Sequence, residues 1–146
     1  MESLVTVLSR MAGGAHRAVF DRTNGQVLGG IPGTKVVRLT TIGRKTGQPR
    51  VTMLSTPLPV GERVVLIASF GGEPRHPQWY RNLCADPHVT VNISGTERRM
   101  VARTADSAER AGLWRQIVCR APNYALYQLR TAREIPVIIL ENDSTT

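Results

Sequence analysis

Three segments of the 146-residue chain gather side chains whose types and spacing could do chemistry. The first is Leu39–Arg50, LTTIGRKTGQPR. Gly43 and Gly47 let a hairpin loop turn tightly, while Arg44, Lys45 and Arg50 concentrate three cations around backbone amides that such a turn frees. That combination suits a phosphate cradle. It is not a P-loop, which needs GxxxxGK[ST] between strand and helix. A solvated basic hairpin is the plain alternative.

The second segment is Ile67–Asn82, IASFGGEPRHPQWYRN. A strand ends at Ser69, the pair Gly71-Gly72 follows, and a helix begins at Pro77. Glycines at a strand end allow close backbone approach to a flat ligand, and a helix N-terminus favours an anion. Ser69 lacks the GxSxG setting of an activated nucleophile, so it reads as a hydrogen-bonding residue. Trp79 and Tyr80, at helical spacing, read as core. The third segment is Pro122–Arg133, PNYALYQLRTAR. Tyr124 and Tyr127 are three apart and share a face if helical, so both hydroxyls could line one cavity wall or simply cap the core. A tyrosine there could donate a proton or hydrogen bond to a developing oxyanion.

The elements that must position these groups are mostly strands. Leu4, Val7, Leu8 and Met11 give a short amphipathic helix over 3–12, with a second helical piece over Ala15–Phe20. Asn24–Thr34 is glycine-rich loop. Lys35–Thr41, Arg50–Leu58 and Arg63–Ser69 read as an antiparallel meander. The helix from Pro77 stops before Asp86-Pro87, and His88–Ile93 and Glu97–Arg103 form a second strand pair. Asp106 and Glu109 have capping-box spacing, opening a helix that puts Leu113, Trp114, Ile117, Val118 and Ala121 on one face. A helical turn over Tyr124–Arg130 and a buried strand, Ile135–Leu140, precede a polar tail over 142–146. This order is not the alternation of a doubly wound parallel sheet. It predicts a mainly β, α+β domain spanning 1–146: a small antiparallel barrel with helices packed on it.

Composition is that of an ordinary globular protein, 41% apolar and 21% charged, with a net charge of +8. Arginine dominates the basic residues; Lys35 and Lys45 are the lysines. Arginine's planar fork favours phosphate and carboxylate, so nucleic acid, an acidic membrane surface or a polyanionic small molecule are the partner classes this charge admits. Aromatics make up 5% of the chain and no nucleic-acid motif is present, which argues against a nucleic-acid module. Cys84, Cys119, His16, His76 and His88 show no metal-ligand spacing. No secretory signal or bilayer-spanning stretch is recognisable, so the expected compartment is the cytoplasm.

Together, LTTIGRKTGQPR (39–50), ASFGGEPRHPQWYRNL (68–83) and PNYALYQLRTAREIPVIILE (122–141) resemble the deazaflavin-dependent nitroreductase family, in its order and spacing. These are actinobacterial enzymes that use reduced coenzyme F-420, an 8-hydroxy-5-deazaflavin with a phosphodiester and a γ-linked oligoglutamate tail. The resemblance implies a split β-barrel of the flavin-mononucleotide-binding type and hydride transfer from the reduced coenzyme to a quinone, nitroaromatic or similar electron-poor acceptor. By motif position, Arg44, Lys45, Thr46 and Arg50 would hold the phosphate and tail. Val51, Thr52, Met53, Leu54 and Ser55 would run beside the cofactor. Ile67, Ala68, Ser69 and Phe70, with Gln78, Trp79, Tyr80, Arg81 and Asn82, would contact the ring and its ribityl chain. Tyr124 would face the substrate side with Tyr127 nearby, and Ser69 and Tyr124 would be the donors to the acceptor.

The sequence departs from the family pattern at Phe70, where some relatives carry lysine, at Met53, where proline is common, and at Ser55 and Thr56, where some have larger aromatics. The resemblance leaves monomer or homodimer open. The 3–12 helix could touch a lipid surface to serve a membrane-soluble quinone, or pack on the core or an interface. Three rival readings stand beside it: the same barrel holding flavin mononucleotide or a haem-like ligand, a basic nucleic-acid-binding module, and a coenzyme binder without turnover.

Overall fold

β-Branched residues and an alternation that holds from Val37 onward make Lys35–Ile42 a strand (β1): Val37, Leu39 and Thr41 are buried on one face, with Arg38 and Thr40 half-buried between them. A computed structural model describes residues 34–143 of the chain. The helices expected over 3–12 and 15–20, nearly all of the glycine-rich loop and the end of the polar tail lie outside the described residues.

β1 pairs antiparallel with β2 (Pro49–Thr56), in a register running from Lys35 opposite Thr56 to Ile42 opposite Pro49. Proline bounds β2 at both ends, since Pro57 cannot donate to the ladder. β3 (Val64–Ile67) is shorter than the expected 63–69 strand. Ser69 turns to φ −74°, ψ −38° and opens a single 3-10 turn over Phe70–Gly72, so the chain leaves the sheet after Ile67. Helix α1 (Gln78–Ala85) follows, then β4 (His88–Ile93) and β5 (Thr96–Thr104). Ser94 and Gly95 join the latter two with φ values of +51° and +84°, the signs a two-residue type I′ hairpin requires.

Helix α2 (Ser107–Arg120) starts with the capping box expected at Asp106 and Glu109. Helix α3 (Asn123–Leu129) and strand β6 (Val137–Asn142) complete the described chain. The six strands form one antiparallel sheet in the order β2-β1-β4-β5-β6-β3. It curls until β2 and β3, its two edges, touch without pairing, which makes it a split barrel.

Two cores explain the helices' positions. Val37, Leu39, Leu66, Val91, Met100 and Leu140 fill the concave face, which α1 closes with Trp79 and Leu83. On the convex side, Val65, Ile67, Val137 and Ile139 pack under Ile117 of α2, with Tyr124 and Tyr127 of α3 against them. β3 and β6 are therefore buried on both faces, as their unbroken apolar runs VVLI and VIIL suggest. No helix among the described residues is long and apolar enough to cross a membrane.

Candidate functional site

The β1–β2 loop is closed by Gly43 N–H donating to the Gln48 carbonyl and Gly47 N–H to the Gly43 carbonyl, both 2.8 Å. Its glycines do different jobs. Gly47 takes φ +71°, which side chains rarely adopt. Gly43 is needed for space, because a Cβ there would lie 2.8 Å from Thr46 Oγ1 and 3.2 Å from the Gln48 carbonyl. The Thr46 hydroxyl oxygen accepts from the Gln48 amide at 3.2 Å and from Arg50 Nη2 at 3.4 Å, bracing the turn from inside.

Helix α1 fixes the loop's first cation. Arg44 Nη1 donates to Asn82 Oδ1 at 2.8 Å, the Arg44 amide reaches the same oxygen at 3.2 Å, and Nη2 donates to Gln78 Oε1 at 2.8 Å. Gln78 and Asn82 are one helical turn apart, so both face the loop. Asn82 is 5% exposed and spends its amide on Thr41 Oγ1 at 3.3 Å. Two of the three sequence segments thereby meet in one groove of about 380 Å³. Arg44, Lys45 and Arg50 ring it, Val51 and Trp79 give it apolar wall, and among the described residues no acidic side chain lines it. Those donors and that size fit an anionic ligand that also carries a flat apolar part.

Not every expected residue lies in that groove. Thr52 does, but strand alternation and the β1 register turn Leu54 toward the concave core and Met53 to the opposite face, against Val36. Tyr80 points away, its hydroxyl 3.0 Å from Thr104 Oγ1, and Arg81 is exposed outside the groove lining. Ile67 and Ala68 are buried, and Ala68 N–H is taken by the Pro136 carbonyl at 3.0 Å.

Ser69 and Phe70 form a second neighbourhood, half-buried in the 3-10 turn. Phe70, Gly71 and Gly72 all have positive φ, at +47°, +64° and +84°. Helix α3 sits directly on this turn: a Cβ on Gly72 would lie 2.6 Å from the Tyr127 carbonyl. The Arg75 guanidinium stands 5.7 Å from the Phe70 ring centroid, so a cation accompanies the phenyl group at this departure from the family pattern.

Tyr124 and Tyr127 stack edge to face with centroids 5.7 Å apart. The Tyr124 hydroxyl donates to the Ser55 carbonyl over a long 3.5 Å. Burial, with Tyr127 beside it, pushes its pKa up to about 12, so it stays a neutral donor. β2 connects the two neighbourhoods, with Arg50 at the groove and Ser55 under Tyr124, about 16 Å along the strand.

Sequence reasoning assigned Arg133 no role, yet it ties the 3-10 turn to the loop after α3. Nε donates to the Glu73 carbonyl (2.9 Å), Nη1 to the Ala68 carbonyl (3.1 Å) and Nη2 to the Ser69 carbonyl (2.8 Å). No local pattern marks it, since these partners lie 60 to 65 residues earlier. Gln128 of α3 grips the same loop, donating from Nε2 to the Arg133 carbonyl at 2.8 Å and accepting Ile135 N–H at 2.9 Å. Among the described residues, no group of three His, Cys, Asp or Glu could hold a metal, and Cys84 and Cys119 are exposed free thiols.

Comparison with known proteins agrees with the split-barrel fold. A family model described as F420H(2)-dependent quinone reductase matches residues 14–142. An F420H(2)-dependent quinone reductase of Mycobacterium tuberculosis is 41% identical over 130 residues, covering 86% of this chain and 86% of the relative. A solved F420-H2 dependent reductase aligns with a TM-score of 0.66 at 37% identity, over 73% of this chain and 93% of that one. A solved domain-swapped dimer aligns with a TM-score of 0.67 at 34% identity, over 86% of this chain and 96% of the other. This chain belongs to the F420H(2)-dependent quinone reductase family, and is an oxidoreductase that draws on reduced coenzyme F-420.

Proposed function

We propose that this chain, as one split-barrel domain over 1–146, catalyses hydride transfer from reduced coenzyme F-420 to a quinone, with nitroaromatics as further electron-poor acceptors. The observation that carries the reading is Arg44 locked to Asn82 and Gln78 at the rim of a groove that no acidic side chain lines among the described residues. It supports a permanent site for a phosphodiester and oligoglutamate tail, held by Arg44, Lys45 and Arg50 with Thr46 bracing the turn. Trp79, Val51 and Thr52 give the groove wall along which a flat ring system could continue. The chemistry supplied by the bound reduced coenzyme is hydride donation.

The chain's own part is to bind, orient and exclude water. Tyr124, neutral at physiological pH, offers its hydroxyl to the acceptor in exchange for a stretched bond to the Ser55 carbonyl. The Ser69 hydroxyl makes no hydrogen bond among the described residues, which leaves it able to serve as the second donor. Leu126 and Leu129, the exposed large apolar residues of α3, favour an acceptor with a lipophilic chain. A lipid-surface contact through 3–12 would suit the same acceptor, and the similarity to a domain-swapped dimer supports a homodimer.

Titration with oxidised coenzyme F-420 and, in parallel, flavin mononucleotide tests the reading through quenching of tryptophan fluorescence. Selective deazaflavin binding followed by quinone-dependent oxidation of the reduced coenzyme is the expected result. Selective flavin binding would keep the barrel and overturn the assignment.

A further inference from the structure

Arg133 spends its guanidinium on one short stretch of chain. Besides the carbonyls of Ala68, Ser69 and Glu73, it donates from Nη1 to His76 Nδ1 at 3.1 Å. Among the described residues no carboxylate pairs with it. His76 can accept because burial, with Arg133 and Arg81 nearby, holds its pKa below the ordinary histidine value. A cation satisfied by neutral backbone oxygens is an arrangement for shaping that backbone.

The shape follows from peptide geometry. In a trans peptide, C=O and N–H point in opposite directions. Holding the Ala68 and Ser69 carbonyls therefore turns the Ser69 and Phe70 N–H groups away from Arg133, and neither amide is engaged among the described residues. Ser69 is right-handed at φ −74°, ψ −38° and Phe70 left-handed at φ +47°. That succession brings neighbouring amides toward one point and suits an anionic or carbonyl oxygen. Phe70 is not a glycine, so its left-handed backbone persists only if something holds it. Arg133 does so through the Ala68 and Ser69 carbonyls that precede Phe70.

We propose that Arg133 is a positioning residue for the reaction: it fixes the 68–73 turn so that the Ser69 and Phe70 amides act as a paired donor toward an electron-rich carbonyl oxygen, on the bound ring or on the quinone. This rests on the reading that the strand end faces the reacting centre. Gln128 extends the effect, because its bond to the Arg133 carbonyl ties the helix that carries Tyr124 to the same loop.

Arg133→Ala and Arg133→Lys test it. Each variant should lower kcat by ~100-fold, as displaced reacting groups do. Coenzyme affinity, set by the separate Arg44–Asn82 rim, should change less than ~3-fold. Added guanidinium ion should restore turnover in Arg133→Ala, whereas lysine should not substitute, having no planar fork. If the oxygen belongs to the ring, the absorption of bound oxidised coenzyme will revert toward the free spectrum in both variants. If it belongs to the quinone, that spectrum will hold and KM for quinone will rise.

A folded variant that binds coenzyme with wild-type kinetics and spectrum overturns this proposal alone. So does a loss of activity that only tracks the loss of folded protein and ignores guanidinium. Should Arg133→Ala fail to fold, Arg133→Lys decides by the same kinetic and spectral readouts. Full activity in Ser69→Ala would remove the hydroxyl as a donor and leave the amide pair standing. A wild-type protein that binds no coenzyme overturns the functional reading, and this proposal with it.

Discussion

Arg44 and Asn82, 38 residues apart in sequence, share one oxygen: the side chain and the main chain of Arg44 both donate to Asn82 Oδ1, at 2.8 and 3.2 Å. The loop and the helix thus carry one another. Asn82→Ala removes both bonds and the partner of the buried Thr41 hydroxyl, and should cost about 2–3 kcal/mol of stability. The freed Arg44 should weaken coenzyme binding by ~10-fold, since an unfixed side chain must be ordered on binding. Denaturant unfolding and fluorescence titration measure the two effects.

Lys45 and Arg50 stand exposed on the same rim. Replacing either with alanine should weaken coenzyme binding by roughly 5-fold at low salt and less at high salt, because exposed charges are screened. Dissociation constants across a salt series check this, and an equal loss at every ionic strength would argue for a contact of another kind.

Tyr124→Phe keeps the ring that packs against Tyr127 and deletes the hydroxyl. Turnover should fall by ~100-fold while coenzyme affinity stays within ~3-fold, the pattern of a donor used mainly in the transition state. Because burial raises this phenol to about 12, it remains protonated through the neutral range. Wild type and variant should then show pH–rate profiles of the same shape between about pH 6 and 10, differing in height.

Gly72→Ala confronts both a φ of +84° and a Cβ 2.6 Å from the Tyr127 carbonyl. It should destabilise the protein by about 3 kcal/mol. Since α3 must lift to admit the methyl group, turnover should fall further than the lost folded fraction explains, as circular dichroism and kinetics on the same sample would reveal.

Far from the groove, Arg103 binds Glu109 through two hydrogen bonds, at 2.7 and 3.0 Å, and Glu141 through a third at 2.8 Å. The Arg103 guanidinium, helped by the Asp106 amide, holds Glu109 down at about 2 from an ordinary 4.5. A depressed carboxylate contributes its stability fully above the unfolded pKa and loses it as pH falls through the folded one. Melting temperatures of wild type and Glu109→Gln should differ at neutral pH and converge between pH 4.5 and 2.

What the sequence reveals is what local chemistry decides. The Asp106–Glu109 capping box spans three residues and appears where its spacing predicts. β1 needs only alternation and β-branching, and it ends within one residue of its expected boundary. β3 stops short because Arg133 and α3 hold the next residues in a turn, and neither influence is written near Val64–Ile67. The site divides the same way. The cations of the hairpin are legible as a cluster, but Gln78 and Asn82 as the clasp on Arg44, and Arg133 as the grip on Ser69, exist only once distant segments meet.

The strand order has a consequence for how the molecule comes off the ribosome. Among the described residues β3 pairs with β6 alone, and β6 is the last strand described. While the intervening residues are synthesised, VVLI has no ladder partner among the described strands and waits as exposed apolar chain, a condition that invites chaperone capture or aggregation. The barrel cannot close progressively from its N-terminal hairpin. It closes when residues 137–142 emerge and slide between β5 and β3, so release of nascent chains stalled before that strand should yield protease-sensitive, unclosed barrels.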